Sequence, residues 1–238
     1  MRVKSLVKVG SLRLANALKH IKENKTKLNT SLYDLCVISD TASSFTLKGL
    51  LQNLDVNNKS SGFSFDKGMA YTVKYAIQFC IRNNKKFIFV LKRKNNKIKQ
   101  NKELDFYKEY LSEKEFNFLK LNSTKNKKGK FISYKVMLQS KVAVSTISTM
   151  LGENLALGRK ILACNLTNLN LLDFPNSGIC SIKHCNYEKF EKRLFEILAM
   201  SNKKYISKLS KNKNYIVNFN EKKSTIKILE DMLRKLLS

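Results

Sequence analysis

Four of the five residues from Ser145 to Thr149 carry hydroxyls: Ser145, Thr146, Ser148 and Thr149. They follow the run Lys141-Val-Ala-Val-Ser145 and precede Met150-Leu-Gly-Glu-Asn-Leu-Ala-Leu-Gly158. A helix start offers unpaired N–H groups and a partial positive charge, so hydroxyls gathered there can hold a phosphate. Glu153 comes one turn later, within reach of a ribose diol whose phosphates sit on the helix start. Gly152 weakens the helix and lets another group approach closely. The same residues have a plain structural use, since hydroxyls cap helices and a carboxylate near the amino end favours the dipole. The residues alone leave both uses open.

These groups need two buried strands and a helix to place them. Lys141–Ser145 and Lys160–Cys164 are short β-branched runs suited to parallel strands. Met150, Leu151, Leu155 and Leu157 give the intervening helix an apolar face, and Gly158 ends it. Two other strand ends supply candidates. Leu32–Ile38 predicts a strand, with Asp40 and Thr41 in the polar loop after it, where ligands gather in open α/β sheets; a solvated turn is the alternative. Phe87–Leu91 predicts a strand leaving into Lys92-Arg93-Lys94, cations that could neutralise a diphosphate or simply form a Lys-rich surface loop.

The pattern Tyr134-x-x-Met137-x-x-Ser140-Lys-Val-Ala-Val-Ser145, the Ser/Thr turn, Glu153 and Gly158 resemble the donor-binding, carboxyl-terminal half of the two-lobed GT-B glycosyltransferases, especially those that build bacterial surface polysaccharide. The resemblance covers roughly residues 85–200. It implies a Rossmann-like, mostly parallel sheet flanked by helices, with Ser148 and Thr149 on the pyrophosphate and Glu153 on the ribose. It further implies a nucleotide-sugar as donor substrate, no other cofactor, a glycan or lipid-linked acceptor, and a catalytic base from an amino-terminal lobe. With 238 residues the chain is short for both lobes in full, so a reduced lobe, a separate second lobe or a partner protein is expected. A GT-B-like sugar epimerase or glycerophosphotransferase would share the fold.

Lys and Arg total 46 against 18 acidic residues, a net charge of +28 that would attract nucleic acid, an anionic membrane face or phosphorylated substrates. The cations are mostly Lys, spread through every segment among abundant Asn, which reads as a compositional bias rather than a patch. A basic nucleic-acid-binding protein is the competing class, opposed by the lack of a helix-turn-helix, zinc-finger or aromatic RNA-binding signature. The five cysteines form no CxxC pair and sit in apolar runs, as reduced core thiols of a cytosolic protein do. Cys180, His184 and Cys185 lack further ligand spacing, so no metal site is expected. No apolar stretch reaches the eighteen or so residues of a membrane span, and the first ten residues carry no signal-peptide pattern. The expected location is cytoplasmic, peripheral on the cytosolic membrane face at most.

In order along the chain, apolar spacing predicts helices at Leu12–Ile21, Lys67–Arg82, Glu103–Leu111 and Phe131–Gln139, at residues around Phe190–Leu198, and from Ile226 to Leu237. Polar Lys22–Thr30 and Asn57–Gly62 read as connectors, and Asn122–Lys130 as a basic loop. Phe116–Leu121 and Gly178–Ile182 are expected strands. The resulting division is an amino-terminal helix and connector over 1–30, a Rossmann-like domain over 31–215 and a terminal helix over 216–238.

Overall fold

Four apolar runs form the centre of the molecule because each is hydrophobic on both faces and so must be covered on both. They are β1 (Tyr33–Ile38), β2 (Phe87–Val90), β3 (Ser140–Ser145) and β4 (Lys160–Asn165), with β2 and β4 buried along their whole lengths. A computed structural model describes residues 9–24, 31–40, 63–92, 96–127, 129–220 and 222–237. The short edge strand β5 (Ser181–Lys183) completes a five-stranded sheet of order β2-β1-β3-β4-β5. Every pairing is parallel, with Leu35 opposite Phe87 and Val142, and Ala143 opposite Ile161. This is the doubly wound α/β fold that the strand runs predict.

Parallel neighbours need helical crossovers. Helix α1 (Leu12–Glu23) is capped by Ser11 and buries Leu14, Ala17 and Ile21. Helix α2 (Phe65–Arg82) connects β1 to β2 and packs on β1, β3 and β4. Helices α3 (Lys97–Lys108), α4 (Glu113–Leu121) and α5 (Ile132–Leu138) lie between β2 and β3. Helix α6 (Thr149–Ala156) carries β3 to β4, and α7 (Tyr187–Ala199), α8 (Asn202–Ser207) and α9 (Thr225–Leu237) follow β5. Among these, α2, α4 and α7 pack together, as do α1, α5 and α6, giving the two covering layers. No helix among the described residues is long and apolar enough to cross a membrane. All five cysteines are free and buried.

Three expectations are corrected. Phe116–Leu121 belongs to helix α4 rather than a strand: Ser112 and Glu115 form a reciprocal capping box, and Leu119 is fully buried while Leu121 is 85% exposed, which breaks the alternation a strand requires. The helix expected from Glu103 starts at Lys97, where Asn96 accepts the Lys99 N–H. The last strand starts at Ser181 instead of Gly178, whose φ of +94° is not strand geometry. The Asn57–Gly62 connector lies outside the described residues.

Candidate functional site

In the order β2-β1-β3-β4-β5, chain connections run to opposite sides of the sheet on either side of the β1/β3 boundary. Ligands of such sheets bind beyond the carboxyl ends of the strands at that switch point. The described structure has a cavity of about 160 Å³ there. Ile38 and Ser39 leave β1 into it, Leu91 and Lys92 leave β2, and Ile147, Ser148 and Thr149 join β3 to α6; Arg13 of α1 and Ser133 of α5 close its sides.

The four hydroxyls divide by depth. Ser145 and Thr146 are 1% and 2% exposed and do not line the cavity. Ser145 Oγ lies 2.6 Å from Asp40 Oδ2 and 2.8 Å from the Ile38 carbonyl, and Thr146 Oγ1 donates to Thr72 at 3.4 Å. Ser148 and Thr149 do line it. Ser148 occupies the N-cap position of α6 and lines the cavity, yet its side chain makes no capping bond. Ser148→Ala should therefore shift stability by less than about 0.5 kcal/mol, against the ~1 kcal/mol typical of a working cap. A urea midpoint measurement checks this.

Three buried carboxylates frame the cavity without entering it. Asp40, 4% exposed, accepts the Thr146 and Ile147 N–H groups at 2.9 and 3.2 Å as well as the Ser145 hydroxyl, so it fixes the turn after β3. Burial pushes its carboxyl above the ordinary range, opposed by those three donors and by the charge of Lys92. Glu103 of α3, 2% exposed, accepts the Lys92 N–H at 2.9 Å and so holds the exit from β2. Glu153 is 5% exposed; its two oxygens accept the Ser11 and Tyr134 hydroxyls at 2.5 and 2.7 Å. It joins α6 to α1 and α5. Burial, and then the hydrogen bond to the Glu153 carboxylate and its charge, push the Tyr134 phenol up.

Of the residues expected at the site, Lys92, Ser148 and Thr149 meet in one cavity. Asp40, Ser145, Thr146 and Glu153 point into the framework, and Glu153, 5% exposed and outside the cavity lining, is not placed to meet a ribose there. Thr41 and Arg93 lie outside the described residues. The group close to Gly152 is Ile216, whose Cγ2 would sit 3.1 Å from an added Cβ, so packing accounts for that glycine. Arg13, Glu103 and Ser133 were not anticipated. Arg13 stands on a helix whose sequence signal is its apolar spacing, and Glu103 lies where that spacing marks only a helix start.

A larger cavity, about 410 Å³, lies between α1 and residues 218–220 and 224–226; Leu14, Leu18, Phe219 and Ile226 line it together with polar groups such as Lys19, Lys22, Asn218 and Ser224. It does not touch the strand ends, whereas the smaller cavity opens at the switch point, where ligands of such sheets bind.

The fold is that of a doubly wound α/β protein with a cleft at the switch point. No family model matches the chain, and no curated protein matches it. Among solved structures it is similar to sucrose-phosphate synthase from Thermosynechococcus elongatus, with a TM-score of 0.42 and 13% identity over 98% of this chain. The chain spans about half of that protein, 52% of its length. A likeness at this level carries no argument, and the fold rests on the sheet itself.

Proposed function

We propose that the cleft binds the diphosphate of a nucleotide-sugar and that this chain is the donor-binding half of a glycosyltransferase, of the kind that builds surface polysaccharide or lipopolysaccharide. The observation carrying this reading is the convergence of Ser148, Thr149 and the start of α6 with Lys92 and Arg13 on one cavity at the switch point. Helix start and hydroxyls hydrogen-bond phosphate oxygens, and the two cations neutralise their charge. The motif from Tyr134 to Gly158 supports the same reading. At about 160 Å³ the cavity suits the anionic part of a donor; an entire drug-sized ligand occupies about 300–1,000 Å³.

Glycosyl transfer also needs a base for the acceptor hydroxyl. Among the described residues lining the cavity, none carries a carboxylate or an imidazole. The cleft therefore binds and stabilises the departing diphosphate, and the base comes from elsewhere, such as a second lobe or a partner protein.

Thermal shift with uridine and cytidine nucleotide-sugars, uridine diphosphate and inorganic pyrophosphate tests the reading, beside a DNA duplex at two salt concentrations. A ligand that binds only the folded chain raises Tm. The diphosphates should bind, and Lys92→Ala should weaken them about tenfold, the scale of one charge-assisted hydrogen bond. If no diphosphate raises Tm while DNA binds with a steep salt dependence, the glycosyltransferase reading gives way to the nucleic-acid one.

A further inference from the structure

Arg13 is an exposed cation of α1 that the fold brings to the rim of the cleft. Of 46 cationic residues only seven are Arg, at 2, 13, 82, 93, 159, 193 and 234. In a chain where Lys is the compositional default, Arg marks places that use a planar fork. Three described cases show this: Arg159 donates to the Leu138 and Ser140 carbonyls, Arg193 donates to the Gly178 and Ser181 carbonyls, and Arg82 lies over the Tyr187 ring. Arg13 lies over the Tyr134 ring at 5.8 Å and borders the cavity beside Ser148 and Lys92.

Its position is held from two sides. Ser11 Oγ accepts the Leu14 N–H, capping α1, and donates to Glu153 Oε1, so the first turn of α1 is tied to α6. Tyr134 donates to Glu153 Oε2 at 2.7 Å, which fixes the ring that the guanidinium faces. One carboxylate thus locates both the helix that carries Arg13 and the aromatic surface beneath it.

We infer that Arg13 is a binding residue for the phosphate in this cleft and that Glu153 is its positioning residue, acting through Ser11 and Tyr134 with no ligand contact of its own. The inference rests on the reading of the cleft as a diphosphate site. It assigns the glutamate of the motif a role distinct from gripping a ribose.

Inorganic pyrophosphate, which has no ribose, separates the two roles when compared with uridine diphosphate by calorimetry. Arg13→Ala should weaken both ligands about tenfold or more, and Arg13→Lys by less. Glu153→Gln should weaken both by a similar factor to each other. In the double variant Arg13→Ala/Glu153→Gln, the second substitution should add nothing, since its effect passes through Arg13. Tyr134→Phe keeps the ring and removes only the hydroxyl, so it repeats the test with less disturbance of the fold. Loss of uridine diphosphate affinity with pyrophosphate affinity intact would place Glu153 on the ribose and overturn the inference, as would additive effects in the double variant. If Lys92→Ala weakens binding and Arg13→Ala does not, the cleft reading survives and the inference fails. If the unaltered chain binds neither ligand, the cleft reading itself is wrong and the inference falls with it.

Discussion

Asp40→Ala is expected to lower stability by about 3 kcal/mol, because it strips a partner from three groups of a largely buried turn. The Thr146 and Ile147 N–H groups lose their acceptor outright, and Ser145 keeps only the Ile38 carbonyl. Each buried orphan costs about 1–3 kcal/mol. For a chain of this length 3 kcal/mol corresponds to a fall in Tm of roughly 6–12 °C. Asp40→Asn keeps one acceptor oxygen and should cost less, about 1–2 kcal/mol. The two variants also read the protonation of the site. Burial raises the folded-state pKa of Asp40 above its ordinary 3.8, so the folded state holds the proton more tightly than the unfolded chain does. That contribution is complete below the ordinary value and is lost as pH rises through the raised one. The stability gap between the unaltered chain and Asp40→Asn should therefore be largest in acid and shrink toward neutrality, measured as urea midpoints across that range. A gap that widens with pH would show that the three donors outweigh burial.

The strands were legible because a parallel strand buried on both faces leaves a continuous apolar run, as in Phe87–Val90 and Val142–Val144. Segment Glu113–Leu121 was not, since Phe116, Phe118 and the β-like spacing obscured the Ser112/Glu115 capping box three residues apart. The order of the strands left no local mark, because pairing across the sheet is long-range information. The placement of β1 between β2 and β3 turns three separate loops into one cleft.

Within the site, residue type was legible and direction was not. Ser145, Thr146, Ser148 and Thr149 are chemically alike, yet the chain turns between them, so that the first pair faces Asp40 and Thr72 and the second pair faces the cavity. Glu153 carried the right chemistry for a ribose, but its partners Ser11 and Tyr134 come from 142 and 19 residues away. Arg13 was hidden by the lysine bias of the whole chain. Asking where Arg replaces Lys against that bias would have raised it.

Gly68→Ala sets two opposing effects against each other in the first turn of α2, and the sign of the result follows from distance. Alanine is favoured over glycine by about 1 kcal/mol in a helix interior, which is the most it can gain in a first turn. An added Cβ, however, would stand 2.7 Å from Thr167 Cγ2, 2.8 Å from its nitrogen and 2.9 Å from its Cα, so a side-chain rotation alone cannot make room. Neither element is free to slide. The Phe63 N–H donates to the Leu166 carbonyl and the Asn168 N–H to the Phe63 carbonyl, both at 2.8 Å, while Thr72 Oγ1 donates to the Gly68 and Cys164 carbonyls. Overpacking a fixed contact costs about 1–3 kcal/mol and more when backbone must move. The net expectation is a loss of about 2 kcal/mol, or a Tm lower by roughly 4–8 °C. Gly152→Ala is the matched control: its Cβ would meet the Ile216 and Val217 side chains at 3.1 and 3.4 Å, groups that can give way, so the helix propensity gain should offset most of the contact. Calorimetric melting of the two variants side by side decides the matter, and a Gly68→Ala protein as stable as Gly152→Ala would show that α2 is not clamped onto the chain leaving β4.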